Sequence, residues 1–243
     1  MSGHSKWATT KRQKALVDAK RGKVFTKIGN MIAIAARKGA DPTTNSALAM
    51  AIEKAKAANM PQDNIKRAIE RASDKANATL LEETYEAYGP NGLALIIEIA
   101  TDNKNRTFPE IKSTLTKNGG RLAEAGSVLF QFTKKGVITI NQPLDDDLLM
   151  AALDAGADDA IAINSATADN TTNAETIIYT KAGDLAQVRE KLLAKNLPVA
   201  DAELQYIANA PLELTDSDQA KAEALLDALD DLDDVQSLHT NLT

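Results

Sequence analysis

The sequence predicts an α+β protein of three domains, a helical bundle followed by two α/β domains. Three observations support this fold class. Apolar residues recur at helical spacing between Val24 and Ala72, whereas short Ile- and Val-rich runs alternate with helical stretches from Leu93 onward. The chain has 243 residues, enough for two or three separate cores. Its charge also changes sign from one end to the other.

Residues 1–78 are predicted to form the helical domain. Gly39 can end a first helix, Thr44 or Asn45 can cap a second, and Asn59 can end that one. Pro61 suits the first turn of a third helix. The apolar residues of the first helix fall on one face: Val24, Phe25, Ile28, Met31, Ile32 and Ala35.

The next stretch is predicted to begin a second domain near residue 79. Leu93–Ala100 is a short Ile-rich run after Gly92 and predicts a buried strand. A helix over Pro109–Lys117 and a strand over Ser127–Thr133 follow, and Lys134–Gly136 is predicted to be a turn.

Residues 137–208 predict a ferredoxin-like β-α-β-β-α-β unit. Its strands and helices are expected at Val137–Ile140, Asp145–Ala155, Ala160–Ile163, Thr176–Thr180, Leu185–Ala194 and Ala202–Ala208. An acidic helix over Ser217–Asp230 and a strand over Val235–Leu242 complete the chain. We therefore predict a discontinuous α/β domain, residues 79–134 plus 209–243, with residues 135–208 inserted into it.

The amino-acid composition offers no candidate catalytic residues. There is no cysteine, and the two histidines, His4 and His239, stand at opposite ends of the chain. A His-based triad, thiolate chemistry and the usual metal-ligand spacings are therefore not expected, nor is a cofactor or small-molecule substrate. We interpret His239 as a partly exposed residue of the last strand. No phosphate-binding glycine loop is present, since Gly22-Lys23 lacks the rest of that motif.

No apolar run approaches the roughly 18 residues that a bilayer requires, so a cytoplasmic protein without a membrane partner is expected.

Charge is strongly segregated along the chain. Residues 1–78 carry 16 Lys/Arg against 6 Asp/Glu, residues 79–140 carry 7 against 7, and residues 141–243 carry 5 against 21. A basic end attracts polyanions while an acidic end repels them. The net charge of −6 conceals this contrast.

The cations between residues 6 and 27 are candidate phosphate contacts: Lys6, Lys11, Arg12, Lys14, Lys20, Arg21, Lys23 and Lys27. Asp18 is the one anion among them, and Arg37 extends the set. The alternative is a solvated basic helix without a ligand. Trp7, the only tryptophan, either stacks on a base or anchors the arm to the bundle.

Several motifs make the sequence similar to the YebC/PmpR family of bacterial proteins, which includes a mitochondrial translational activator. These motifs include Gly3-His4-Ser5-Lys6-Trp7, Asp18–Lys23, Ala58–Pro61, Thr101-Asp102-Asn103, Asn105-Arg106-Thr107 and Gly126-Ser127-Val128. The resemblance implies a three-domain fold, no catalysis and a role with nucleic acid. It also implies that His4 and its neighbours in the N-terminal arm contact the polymer.

Three functions remain open from the sequence. The first is a DNA-binding transcriptional regulator. The second is a ribosome-associated translation factor that binds ribosomal or transfer RNA and assists elongation through proline-rich stretches. The third is an interaction scaffold whose acidic half binds a basic protein. We expect nucleic-acid binding, with DNA and RNA as the two candidate polymers.

Overall fold

The structure, a computed structural model, describes residues 21–73, 80–166 and 172–242. In chain order its elements are α1 (Arg21–Ala36), α2 (Ser46–Ala57), α3 (Gln62–Ser73), β1 (Leu81–Tyr88), β2 (Ala94–Thr101), α4 (Lys104–Lys117), β3 (Arg121–Leu122), β4 (Phe132–Ile140), α5 (Asp146–Ala155), β5 (Asp159–Ala166), β6 (Thr172–Lys181), α6 (Leu185–Ala194), β7 (Val199–Ala208), α7 (Asp216–Asp230) and β8 (Val235–Thr240). The chain is therefore α+β, which confirms the predicted fold class.

The helical unit consists of α1, α2 and α3 around its own apolar core. Buried Ile32, Leu48 and Ile65 represent one helix each in this core. The Asn45 side chain accepts a hydrogen bond from the Leu48 N–H at 3.2 Å and so caps α2. Asn59 has a positive φ of 57°, which turns the chain from α2 toward α3. Both helix boundaries agree with the sequence prediction.

The first sheet has the strand order β3-β1-β2-β8 with antiparallel neighbours. Its core joins β2 to α4 and α7 through buried Leu95, Ile97, Ile111, Leu115 and Leu226. Because β8 comes from the end of the chain and β1 to β3 from its middle, this sheet is assembled from two separate stretches of sequence.

The second sheet has the order β5-β6-β4-β7, with α5 and α6 contributing to its core. A β-α-β-β-α-β chain with its first and third strands in the centre is ferredoxin-like. Phe132 of β4 pairs with Ala208 of β7, and the Asn209 N–H donates to the Gln131 carbonyl at 2.8 Å. The chain thus enters and leaves this unit at one place, as an insertion requires. The residue boundaries of the three domains stay predictions.

Strand β1 was not expected, because the region before Tyr85 shows no apolar period. It contains Glu82, Glu83 and Glu86, and charged side chains obscure the pattern of a strand. Only its last two residues pair with the two-residue strand β3. Partial exposure of β1 explains why its polar residues are compatible with a strand.

The predicted helix start at Pro109 is wrong, because α4 begins at Lys104. The Asn103 side chain caps the helix by accepting from the Arg106 N–H at 3.2 Å. Pro109 therefore lies inside the helix rather than at its first turn.

The predicted strand over Ser127–Thr133 starts too early, since only Phe132 and Thr133 belong to β4, and the predicted turn over Lys134–Gly136 is wrong. Leu129–Gln131 forms a short 3-10 turn, and β4 runs without interruption through Gly136. The backbone N–H groups of Gly126, Val128 and Leu129 bind the Glu86 carboxylate at 2.5 to 2.7 Å. These donors are consequently not available to a strand partner.

Candidate nucleic-acid interface

Some of the candidate nucleic-acid contacts lie in the described part of the chain and others lie outside it. Lys23, Lys27 and Arg37 lie in the described part of the chain. Seven predicted residues lie outside it: His4, Lys6, Trp7, Lys11, Arg12, Lys14 and Lys20. Arg21 begins α1, and its side chain also lies outside the described features. Their roles stay predictions.

Lys23 and Lys27 lie one helical turn apart on α1 and contact the end of α7. The Lys23 ammonium donates to the Asp231 carbonyl at 2.7 Å and lies 3.4 Å from its Oδ1. The Lys27 ammonium donates to the Asp230 carbonyl at 3.0 Å and to its Oδ1 at 2.8 Å. Each lysine therefore binds both a carboxylate and a terminal helix carbonyl.

This arrangement has a simple electrostatic cause. The last carbonyl groups of a helix lack partners within the helix and carry the negative end of its dipole. The Lys27 side chain is 17% exposed, whereas that of Lys23 is 41% exposed. Lys23 is thus the more accessible of the two to a competing anion. We call these two lysines with Asp230 and Asp231 the α1–α7 clasp.

Arg37 also binds within the protein. Its guanidinium donates to the Leu80 carbonyl, just beyond the end of α1. Beside it, Ala33 of α1 packs with Leu80 and with Ala100 of β2. These contacts join the helical unit to the first sheet.

The helical unit contacts the inserted sheet as well. Lys54 of α2 forms ion pairs with Asp201, at 3.3 Å, and with Glu203, both on β7. Glu53 pairs with Arg189 of α6. Basic residues of the helical unit thus hold acidic residues of both α/β units, so part of the segregated charge is used internally.

A second set of cations on the helical unit faces solvent. Lys38, Lys56 and Lys66 are exposed and form no ion pair with any residue in the described ranges. Arg67 is exposed too, and it bonds only within α3, to Asn64 and to the Asp63 carbonyl. Residues 21–73 carry ten Lys/Arg against four Asp/Glu, so the outer surface of the unit stays positive.

His239 is not partly exposed, in contrast to the sequence interpretation. It is 9% exposed, and its Nε2 lies 3.0 Å from Oε2 of Glu98 on β2. Its Nδ1 accepts from the Tyr206 N–H at 3.4 Å, which bridges the two sheets. Sequence reasoning missed this pair because Glu98 is 141 positions away.

Glu98 is a strongly perturbed carboxylate. Burial alone would raise its pKa, but hydrogen bonds from His239 and Ser237, together with the charge of Lys134, outweigh burial and lower the pKa to about 2. The Ser237 hydroxyl donates to Oε2 at 2.6 Å, and Lys134 lies 3.6 Å from Oε1. The group is an ionised structural partner between the sheets.

Within the described residues, no cluster of three or more His, Cys, Asp or Glu side chains could hold a metal ion. None of the helices in those ranges is both long and apolar enough to cross a bilayer.

Taken together, the fold and surface define a class of three-part α+β proteins, in which a basic helical unit is docked on two α/β units. Models of one family match both parts. The TACO1/YebC N-terminal domain matches residues 5–75, and the TACO1/YebC second and third domain matches residues 80–242. This chain belongs to the TACO1/YebC family.

Individual relatives extend the match over the whole chain. A protein of Desulforamulus reducens is 43% identical and aligns over 99% of this chain and 98% of its own length. One of Roseiflexus castenholzii is 45% identical over 100% and 95%, respectively. Both are called "Probable transcriptional regulatory protein". A crystal structure of a conserved hypothetical protein from Aquifex aeolicus superposes with a TM-score of 0.82 at 35% identity, covering 93% of this chain and 91% of that one.

Proposed function

We propose that this protein is a non-enzymatic, cytoplasmic regulator of gene expression that binds DNA through its basic helical unit and regulates transcription. One observation carries the proposal: the helical unit keeps a positive outer surface although several of its cations are engaged inside the protein. Lys38, Lys56 and Lys66 are exposed there, and no described acidic residue neutralises them. Cations in such a position replace the counterions of phosphate groups.

The first 20 residues add five Lys/Arg against one aspartate to the same end of the chain. Residues 141–243, by contrast, carry a large excess of acid and repel a polyanion. The protein therefore approaches nucleic acid with its helical unit first. This electrostatic binding is independent of base sequence.

The choice of DNA rests on the relatives, which are called probable transcriptional regulatory proteins. The non-enzymatic part rests on composition, since a chain without cysteine and with two distant histidines lacks the usual nucleophile and base pairs.

Ultraviolet crosslinking in living cells, followed by sequencing of the attached nucleic acid, tests the proposal. The variant should replace Lys6, Lys11, Arg12, Lys14 and Lys20 by Gln. Deleting residues 1–27 is a poorer choice, because it removes Val24 and Phe25, which pack against the helical core. The control replaces cations of the acidic half, Lys181, Lys195 and Lys221, by Gln.

Chromosomal DNA that is lost in the arm variant and kept in the control supports the proposal. Ribosomal or transfer RNA crosslinked at the N-terminal arm would contradict DNA binding and support a translation factor instead. Equal recovery from the wild type and the arm variant would contradict binding through the basic end. In vitro, contact with roughly six phosphates predicts a slope of log K against log salt near −5 on duplex DNA.

A further inference from the structure

We propose that the exposed face of α4 is a second contact surface for nucleic acid, on which Phe108 stacks against an unpaired base while Lys112 contacts phosphate. The inference rests on the proposed function, because it concerns the same polymer. It adds a site outside the helical unit and selects single-stranded segments.

Three residues form a stripe along α4: Lys104, Phe108 and Lys112. They are four positions apart, so they lie on successive turns of one face, separated by about 6 Å along the axis. Phe108 is 44% exposed, and both lysines are exposed. A cation therefore stands on each side of an aromatic ring at the surface.

The ring of Phe108 is held in place. Its edge-on contact with Tyr85 of β1 has a centroid separation of 5.8 Å and an interplanar angle of 69°. The two rings line a shallow recess together with Lys104, Asn105 and Pro109. An ordered, accessible ring loses little conformational entropy when a base stacks on it.

The charge of α4 favours a polyanion as the ligand of this surface. Between residues 104 and 121 there are five Lys/Arg and one acid, Glu110, in a chain with a net charge of −6. Lys104 pairs with Glu83, and Arg106 pairs with Asp234 at 2.9 Å. Lys112 and Lys117 are exposed, with no ion pair to any residue that the structure describes. Because Lys104 and Arg106 are already paired, Lys112 and Lys117 are the cations of α4 that complement a polyanion and repel a basic protein.

The first turn of α4 lies close to the basic helical unit. Asp234, which Arg106 and Thr107 of α4 bind, lies in the same short segment as Asp230 and Asp231 of the α1–α7 clasp. The first turn of α4 and the lysines of α1 therefore converge on one turn of the chain.

An aromatic ring flanked by cations is the arrangement by which proteins hold single-stranded nucleic acid. Every base offers a π-face, so stacking tolerates any sequence. Removing one such ring weakens binding by about 5- to 150-fold. Lys112, as one phosphate contact, changes the logarithmic salt slope by about 0.7 on a single strand.

The test measures binding of the full chain to a labelled 20-nucleotide single-stranded DNA, the RNA of the same sequence and the DNA duplex. Phe108 is replaced by Ala, Leu and Trp, and Phe130→Ala is the matched control, since Phe130 is 71% exposed in the short turn before β4. Thermal unfolding of each variant checks the fold. Lys112→Gln provides a second variant, because its exposed side chain makes no packing contact in the described cores.

Phe108→Ala and Phe108→Leu should both weaken single-strand binding, Phe108→Trp should restore it, and Phe130→Ala should match the wild type. If the Phe108 variants lose affinity for single-stranded DNA alone, or for RNA alone, that polymer is the one this site binds. If Phe108→Ala binds as the wild type does, or Phe108→Leu binds as well as Phe, stacking at this site is wrong while the proposed function stands. If the wild type binds none of the three nucleic acids, the proposed function itself fails.

Discussion

The ammonium group of Lys27 lies 2.8 Å from Oδ1 of Asp230 and 3.0 Å from the carbonyl oxygen of the same residue. A single cation of the helical unit thus satisfies both a carboxylate and the open end of α7. Its neighbour Lys23 makes the equivalent pair with Asp231, in a more exposed setting. Two cations of the helical unit are therefore already paired with acidic residues of the same chain, and a nucleic acid would compete with those residues.

Replacing Asp231 by Asn should tighten nucleic-acid binding by about two- to fivefold, because the change removes a charge that competes for Lys23. Fluorescence anisotropy at low salt measures this effect. Asp227→Asn is the matched control, since Asp227 is an exposed acid of the same helix, one turn earlier. An equal gain in both variants would show that only net charge matters and that the clasp does not compete.

Replacing Glu86 by Gln should destabilise the protein by about 2 to 4 kcal/mol. Glu86 is 8% exposed, and its carboxylate accepts the N–H groups of Gly126, Val128 and Leu129. An amide offers one oxygen where the carboxylate offers two, and its NH₂ group faces N–H donors. Urea unfolding measures the loss. Glu82→Gln, exposed on the same strand, should change the free energy of unfolding by less than about 0.5 kcal/mol.

Acid should destabilise the wild type in the range between about pH 5 and pH 2. The folded-state pKa of Glu98 is lowered to about 2 from 4.5, so the unfolded chain binds the proton more readily. The stability from this group is present above the unfolded value and is lost as the pH falls through the folded value, a change of about 3 kcal/mol. Burial opposes the ionisation of Glu86 and Asp234, but hydrogen bonds lower both pKa values and add to the same trend.

The measurement is the free energy of unfolding across that pH range for the wild type and Glu98→Gln. The variant should show a flatter profile and a lower stability at pH 7. Glu110→Gln, an exposed residue of α4, should keep the wild-type slope. A Glu98→Gln profile parallel to the wild type would contradict the assignment to this carboxylate.

Gly136→Ala should destabilise the inserted sheet by about 1 to 3 kcal/mol. A Cβ at this position would stand 2.3 Å from Oγ1 of Thr180 and 2.8 Å from Cβ of Leu185. The Leu185 atom is attached to the backbone of α6 and cannot rotate away. Thermal unfolding compares this variant with Gly183→Ala, whose added Cβ would meet nothing within 4 Å. Equal melting temperatures would show that β4 and α6 separate easily.

The helices were predictable because their apolar period and caps are local features. Asn45 and Asn59 act where the pattern placed them, and α6 has the predicted limits Leu185–Ala194. The ferredoxin-like order followed from counting elements. Strand β1 was missed because its glutamates hide the apolar pattern. The loop after Gly126 was missed because Glu86 organises it through contacts about 40 positions apart, which no local window detects.

The candidate interface was predictable in part. Charge counts identified the basic unit and its residues Lys23, Lys27 and Arg37, but pairing could not be predicted, since Asp230 is 203 positions from Lys27. The same limit applies to α4. Its stripe depends on a helix that starts at Lys104 rather than at Pro109, and on the packing of Phe108 against Tyr85.

The strand order β3-β1-β2-β8 also has a consequence for the ribosomal synthesis of this protein. When the chain up to residue 208 has emerged from the ribosome, the inserted sheet has all of its strands, but β2 still lacks β8 as its neighbour. Leu95, Ile96 and Ile97, which are fully buried in the folded protein, therefore lie on an open edge until β8 pairs with β2. During synthesis the inserted sheet can therefore be completed before the first sheet. A nascent chain stalled before Val235 exposes the unpaired edge of β2, which favours aggregation.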